Sequence, residues 1–231
     1  MILIFPQATQ SFNDLFRQMI DTSTAIKFLD KSLAGYDLTK VENIVIVLLQ
    51  DQVVEKFIDN YLKNQNLVQK FEILTLKKET SGAICSTLMA ISSLMGHKVI
   101  VSALDQILVG RKINFDDMLK SNHDVIVPTF FSHDNSLCYT LKDDNGKVIQ
   151  LFEKKFVSND AILGVYYLKD FTDFYKQCHE LLIKYKGFKE RVFYTSDVIN
   201  NYIGEGYDCI FPNTDIGYHK IRCLKDLNEI L

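Results

Sequence analysis

Short apolar runs alternate with helical patterns along the first 130 residues of the chain. Apolar residues recur every three to four positions in Val53–Leu62 and again in Ala83–Met95, which predicts a helix in each segment. The runs predicted as buried strands are Ile2–Phe5, Ile44–Leu49, Phe71–Leu76, Lys98–Ser102 and Val125–Phe130. Because strands that alternate with helices form mostly parallel sheets with helices on both faces, this half predicts such a sheet.

The pattern becomes antiparallel after residue 130. Leu137–Leu141 and Val148–Phe152 flank Asp143-Asp-Asn-Gly146, whose Asn and Gly tolerate positive φ, so a hairpin is predicted. The later predicted elements are a strand at Ala161–Leu168, helices at Asp170–Tyr185 and Ser196–Ile203, and a short strand at Tyr207–Phe211. No internal repeat, low-complexity tract or linker separates the two halves. The chain is therefore predicted to be one α/β domain, residues 1–231, whose mixed, mostly parallel central sheet adjoins a small antiparallel lobe.

Composition and charge exclude several classes of protein. With 231 residues and 47% apolar content, the chain can bury a full core. Its 26 basic and 29 acidic residues give a net charge of −3 without long single-sign runs, so neither nucleic acid nor an anionic membrane is an expected partner. No signal peptide and no run of ~18 apolar residues is found, so we expect a cytoplasmic protein without membrane insertion. Five scattered cysteines favour neither a disulfide framework nor a zinc site.

Open α/β sheets bind ligands beyond the carboxyl ends of their strands, so residues after each strand are the first candidates. Gly82 and Ala83 open a helix where small residues let a flat base approach the main chain; an ordinary helix cap is the alternative. Asp105 ends a buried strand and suits Mg²⁺ beside phosphate oxygens; a plain strand-end carboxylate is the alternative. Glu153 can accept from hydroxyl groups and Lys154 can bind phosphate; a solvated charge cluster is the alternative.

These elements, in this order, resemble the motifs of nucleotide-sugar pyrophosphorylases, the sugar-phosphate nucleotidylyltransferases. Such enzymes join a nucleoside monophosphate to a sugar phosphate. The resemblance extends from Pro6 to Leu227. It implies a Rossmann-like nucleotidyltransferase fold with a nucleotide-binding half at residues 1–130 and a sugar-binding or acceptor-binding half at residues 131–231.

The resemblance also implies roles for individual residues. Those that match its Thr-x-Gly-Ala-Ala base-binding stretch are Thr80, Gly82 and Ala83. Those that match its sugar-binding residues are Glu153, Lys154 and Gly164, the glycine leaving room for the sugar ring. Asp105 matches the metal ligand of an Asn-Ser-Asp-Gln element. Asp215-Ile-Gly217, followed by Asp226-Leu227, resembles a terminal Asp-x-Gly-Thr-Pro-Glu-Asp-Leu motif whose first Asp is the second metal carboxylate. Tyr218 and His219 replace the Thr-Pro pair, and a simple turn Asp is the alternative.

The N-terminal segment departs from the family pattern. Active members follow their first strand with a Gly-x-Gly-x-Arg loop, because a triphosphate needs many convergent amide donors. Here Pro6–Phe12 contains no glycine, and Ser23 aligns with the lysine that contacts the α-phosphate. Ala8, Thr9 and Gln10 can still offer amides or hydroxyls to a nucleotide. Either nearby cations replace the missing charges, or the triphosphate site has been lost.

Three functions therefore stay open. The first is transfer of a nucleotide from an NTP to a sugar phosphate or another small phosphorylated acceptor, with release of pyrophosphate. In this reaction Asp105 and Asp215 hold Mg²⁺ and Lys154 orients the acceptor. The resemblance implies that the product serves surface-glycan and polysaccharide biosynthesis. The second is a catalytically degenerate subunit that binds a nucleotide sugar, as a homo-oligomer or beside an active partner. The third is a glycosyltransferase that uses a nucleotide sugar, with Asp105 as its single metal carboxylate.

Overall fold

The computed structural model describes residues 1–20, 23–65, 69–186 and 191–230. A seven-stranded sheet is built from β1 (Ile2–Gln7), β2 (Asn43–Leu49), β3 (Lys70–Leu76), β4 (Val99–Ser102), β6 (Val125–Ile126), β11 (Val165–Leu168) and β12 (Cys209–Ile210). Their order across the sheet is β12-β6-β11-β4-β1-β2-β3. Only β11 runs antiparallel to its neighbours, β4 and β6. The mixed, mostly parallel sheet predicted from the sequence is confirmed.

Helices cover both faces of this sheet, as alternation along β1 requires. Leu3 and Phe5 belong to the apolar layer on one face, and Ile2 and Ile4 belong to the layer on the other. The helices are α1 (Gln10–Arg17), α2 (Ser23–Ala34), α3 (Gln52–Asn64), α4 (Ala83–Leu88), α5 (Ile91–Leu94), α6 (Phe115–Lys120), α7 (Phe171–Lys184), α8 (Thr195–Gly204) and α9 (Leu224–Asn228). Within the described ranges, none of the helices combines the length and apolar character that crossing a bilayer requires.

Asp51 fixes the relation between α1 and α3. Its carboxylate accepts from the backbone N–H groups of Val53 and Val54, at 3.1 and 3.3 Å, and so caps α3. Its second oxygen accepts from the guanidinium of Arg17, which ends α1, at 2.5 Å. The hydrogen bond from Arg17 lowers the pKa of Asp51 below its ordinary value. The ion pair therefore links α1, which follows β1 in the chain, to the N-terminus of α3.

A second, antiparallel sheet stands beside the first. Its order is β7-β10-β8-β9, with β7 (Thr129–Phe131), β8 (Cys138–Lys142), β9 (Val148–Glu153) and β10 (Asp160–Ile162). A separate pair is formed by β5 (Gln106–Val109) and β13 (Gly217–Lys220), which run antiparallel. The predicted hairpin is therefore present as β8 and β9. Asn200 of α8 covers the free edge of β9, since its side chain accepts from the N–H of Leu151 at 2.7 Å and donates to the same residue's carbonyl at 3.0 Å.

Two predicted strands divide where the chain crosses between the sheets. Val125–Phe130 breaks at Pro128 into β6 and β7, because proline has no N–H for a strand ladder. Ala161–Leu168 breaks at Gly164, whose φ of 70° is outside the strand region, into β10 and β11. The N–H of Leu163 donates to the carbonyl of Pro128 at 2.8 Å, so both crossings lie together. The predicted helix Ala83–Met95 likewise divides into α4 and α5.

Candidate functional site

A cleft of about 610 Å³ opens at the carboxyl ends of β1 and β4, where the two sheets meet. It extends from the start of α4 to the end of β9, so one cavity joins the two halves of the chain. The residues singled out from the sequence that line it are Thr9, Gly82, Ala83, Asp105, Glu153, Lys154 and Gly164. Those that lie outside its lining are Ala8, Gln10, Thr80 and Asp215.

At one end of the cleft, the backbone conformation and the close packing at position 82 allow only glycine. Its φ of 118° favours glycine, and a Cβ there would overlap the backbone carbonyl of Phe193. Thr80 supports this turn from behind, because its hydroxyl donates to the carbonyl of Gly82 at 3.0 Å and lies 2.7 Å from the hydroxyl of Ser86. The turn thus presents Gly82 and Ala83 to the cleft, and Thr80 acts as a brace.

The segment after β1 is a helix start instead of a glycine-rich loop. Thr9 is the N-cap of α1, and its hydroxyl accepts from the N–H of Phe12 at 3.3 Å. The carboxylate of Glu79 accepts from the N–H of Gln10, so one amide at the N-terminus of α1 already has an anionic partner. Ala8 is fully buried. Only Thr9, of the three residues predicted to contact a nucleotide here, faces the cleft.

At the opposite end of the cleft, Lys154 and Glu153 are held by α8 and the residue before it. The ammonium of Lys154 donates to the hydroxyl of Tyr194 at 3.1 Å, and this hydrogen bond raises the pKa of Lys154 above its ordinary value. Glu153 accepts from the hydroxyl of Ser196 at 2.8 Å. Lys154 has a φ of 53° and is the one non-glycine residue at positive φ in the part of the chain that the structure describes. Such strained residues cluster at functional sites.

Gly164 makes room for a protein side chain. A Cβ at this position would lie 2.9 Å from the side-chain carbonyl oxygen of Gln106. The amide of Gln106 donates to the hydroxyls of Ser102 at 2.8 Å and Tyr36 at 3.2 Å, and burial raises the pKa of Tyr36 to about 12. Of the two hydroxyls, that of Ser102 belongs to a residue that lines the cleft. Gln106 also lines the cleft, so it can contact a ligand.

The two carboxylates expected to share Mg²⁺ are not brought together. Asp105 lies in the cleft and its Oδ1 is 2.5 Å from the ammonium of Lys220. Asp215 lies beyond the other end of the β5–β13 ladder, 73% exposed and 3.8 Å from Arg111. The four paired positions between them span roughly 10 Å, and both Asp residues lie beyond the ends of this ladder, whereas shared Mg²⁺ requires both oxygens within about 2.1 Å of the ion. No group of three acidic, His or Cys side chains suited to a metal occurs in the described ranges. The residues present therefore do not fit the expected metal site.

The polar residues of the cleft that the sequence did not single out include Tyr194, Lys220 and Arg222. The guanidinium of Arg222 donates to the hydroxyl of Ser136 at 2.5 Å and lies 3.7 Å from Asp134. The sequence did contain a signal that could have identified Lys220. In the terminal motif, the metal-binding Asp stands six residues before the Asp-Leu pair. Six residues before Asp226 stands Lys220, whereas Asp215 is eleven residues away.

No protein-family model and no curated protein sequence matches the chain. Solved structures do match it over nearly its whole length. The nucleoside-diphosphate-sugar pyrophosphorylase from Vibrio cholerae RC9 superimposes with a TM-score of 0.79 at 17% identity, covering 100% of this chain and 99% of that one. The inositol-1-phosphate CTP transferase from T. maritima gives a TM-score of 0.68 at 13% identity, covering 99% and 91%. A UDP-glucose pyrophosphorylase complexed with UDP-glucose gives 0.70 at 12%, covering 99% and 96%.

These neighbours are similar to the present chain in structure and distant from it in sequence. The resemblance seen in the sequence motifs and the similarity seen in the coordinates point to the same group of proteins. The chain has the fold of nucleotide-sugar pyrophosphorylases and related nucleotidyltransferases.

Proposed function

We propose that the cleft binds a nucleotide sugar, with the base beside Gly82 and Ala83 and the sugar with its phosphate beside Glu153 and Lys154. The observation that carries this proposal is the single cavity of about 610 Å³ that joins these two ends. Its volume lies within the usual range of small-molecule sites. The similar UDP-glucose pyrophosphorylase was solved with UDP-glucose bound, which supports a ligand of the same class here.

Lys154 is the group that we assign to the sugar-side phosphate. Its ammonium has a neutral partner, Tyr194, and no ion pair within the described ranges. A cation without a carboxylate partner at the wall of a cleft keeps its charge for an anionic ligand. Glu153, one residue earlier, offers a carboxylate to sugar hydroxyls, and Ser196 holds it in place. Both ends of the ligand therefore meet complementary groups.

We infer that binding, without nucleotidyl transfer, is the main function. An NTP needs several convergent amide donors for its β- and γ-phosphates. In this chain α1 takes the place of that loop, and Glu79 puts a carboxylate against the first amide of the helix. A triphosphate would meet repulsion there. All five cysteines are free thiols, which agrees with a role in the cytoplasm, as a binding subunit or beside an active partner protein.

Nucleotidyl transfer is the second candidate, and the cationic groups of the cleft favour it. Lys154, Lys220 and Arg222 all line the cavity. In this reaction an oxygen of a sugar phosphate, or of another small phosphorylated acceptor, forms a bond to the α-phosphorus of an NTP. The bond between the α-phosphorus and the bridging oxygen breaks, and pyrophosphate leaves. Lys154 would orient the attacking phosphate, and the nucleotide sugar would serve surface-glycan synthesis.

Isothermal titration of the protein with a panel of nucleotide sugars tests the main proposal. We expect one or more members of the panel to bind, and Lys154→Met to weaken that binding by about tenfold or more, because a charge-assisted hydrogen bond to phosphate contributes about 1.5–3 kcal/mol. Lys155→Met is the matched control, since Lys155 packs over Phe152 and does not line the cleft. Equal affinities of the two variants, or no binding across the panel, would refute the proposal. Pyrophosphate release from NTP and sugar phosphate would establish the second candidate instead.

A further inference from the structure

We propose that the ammonium of Lys220 takes the place of a divalent metal ion in the cleft, so that the diphosphate of a nucleotide sugar binds there without metal. The contact between Lys220 and Asp105 carries this inference. The two charged groups are 2.5 Å apart, and both residues line the cavity. Their side chains are 30% and 20% exposed, so a ligand in the cleft can reach the pair. This inference rests on the proposed function for the identity of the ligand.

The backbone fixes Lys220 in this position. Lys220 pairs with Gln106 at the end of the β5–β13 ladder, one residue from Asp105. The next residue, Ile221, donates its N–H to the carbonyl of Asp105 at 2.9 Å. Because main-chain hydrogen bonds flank the pair on both strands, the ammonium is preorganised against the carboxylate. The ion pair is therefore a built feature of the cleft wall.

The spacing of the chain gives an independent reason. In the terminal motif, the metal-binding Asp stands six residues before the Asp-Leu pair. Here that pair is Asp226-Leu227 in α9, and Asp226 accepts from the N–H groups of Arg222 at 2.7 Å and Cys223 at 3.2 Å. Counting back six residues gives Lys220. A lysine thus occupies the position of the second carboxylate, and it reaches the first one.

Replacing the second carboxylate and the metal ion by the ammonium of Lys220 leaves the total charge of the site unchanged. Two carboxylates with one divalent cation sum to zero, and so do Asp105 and the ammonium of Lys220. An ammonium has three N–H donors, of which one is directed to Asp105. The others are available to phosphate oxygens, the role that a metal has in such sites. Mg²⁺ added to this cleft would meet a cation beside Asp105, its expected ligand.

Two measurements test the role of Lys220. The first is the thermal unfolding midpoint with and without excess MgCl₂ and no nucleotide. We expect no shift for the wild type and an increase of a few degrees for Lys220→Asp, which puts a second carboxylate beside Asp105. Lys225→Asp makes the same charge change on α9, where the side chain is 84% exposed, and it is expected to behave like the wild type. A shift in the wild type, or none in Lys220→Asp, overturns the proposal.

The second measurement is the affinity for nucleoside diphosphates and nucleotide sugars in EDTA and in excess MgCl₂. We expect equal wild-type affinity in both buffers, about a ten- to hundredfold loss in Lys220→Met, and Mg²⁺-dependent binding in Lys220→Asp. Circular dichroism checks that both variants fold. A wild type that binds only with Mg²⁺, or a Lys220→Met variant that binds normally, overturns the inference and leaves the proposed function intact. A protein that binds no member of the panel in either buffer refutes the proposed function, while the MgCl₂ measurement still decides the role of Lys220.

Discussion

Replacing Lys154 separates the strain of the backbone from the function of the side chain. Its φ of 53° lies in the left-handed region, where a residue with a Cβ is destabilised by about 1–2 kcal/mol. Glycine avoids this strain but loses about 0.4–1 kcal/mol more through the entropy of the unfolded chain. The difference predicts that Lys154→Gly is more stable than Lys154→Ala by about 0.8 kcal/mol, the reverse of the usual order. Both variants lose the ammonium, so both are expected to bind nucleotide sugars at least about tenfold more weakly.

Urea unfolding of the two variants measures the difference in free energy of unfolding, and isothermal titration measures the affinities. For a domain of this size the predicted difference corresponds to about 2–3 °C in the unfolding midpoint. Lys155 is the control, because it is not among the described residues at positive φ. There, glycine is expected to be less stable than alanine. If Lys154→Ala equals or exceeds Lys154→Gly in stability, the strain argument is wrong; if either variant binds like the wild type, the role of the ammonium is wrong.

Three further substitutions test the fold around the cleft. Gly82→Ala is expected to lower the free energy of unfolding by more than about 2 kcal/mol, because the new Cβ would overlap a backbone carbonyl. Gly146→Ala, with open space around it, should lower it by only about 1 kcal/mol, and similar urea midpoints for the two variants would contradict this. Asp51→Asn should be less stable than the wild type near pH 7. The difference should shrink as the pH falls below about 4 and through the lowered pKa of Asp51, because a depressed carboxyl pKa contributes stability that is lost on acidification; a pH-independent difference would contradict this. Asn200→Ala should lower the free energy of unfolding by about 2 kcal/mol, because it removes two hydrogen bonds to β9. Asn201→Ala should change the free energy of unfolding little. Equal losses for the two variants would show that Asn200 does not hold the edge of β9.

Local sequence patterns predicted the elements that depend on local physics. The buried strand Ile44–Leu49 and the helix at Val53–Leu62 correspond to β2 and α3, with small shifts at their ends. Both have strong apolar patterns bounded by polar residues. The breaks within Val125–Phe130 and Ala161–Leu168 were also encoded, by Pro128 and Gly164, but continuous apolar character on both sides concealed them.

The cleft itself depends on pairings that no local pattern contains. α1 has a local signature, since Phe12 and Phe16 are buried four residues apart behind a Thr9 cap. No helix was predicted there, because the segment was compared with the glycine-rich loop of related proteins. The contact between Lys220 and Asp105 joins residues 115 positions apart and depends on the register of β5 with β13. Register is a tertiary property, so only the coordinates could bring these two charges together.

The site differs from the expected one at Glu79 and at Lys220, and both differences disfavour a metal-bound NTP. Where a triphosphate would accept from the N-terminus of a helix, the carboxylate of Glu79 already does so. Where a divalent cation would balance Asp105, the ammonium of Lys220 already does so. The protein thus supplies one anionic and one cationic group that a metal-bound NTP would otherwise bring. Among the residues that the structure describes, three cationic and two acidic side chains line the cleft that is left. In the proposed function, this balance suits the diphosphate of a nucleotide sugar better than the more highly charged triphosphate of an NTP. Under the proposed function, selection between these two ligands would follow from charges inside the protein and would require no change in the fold.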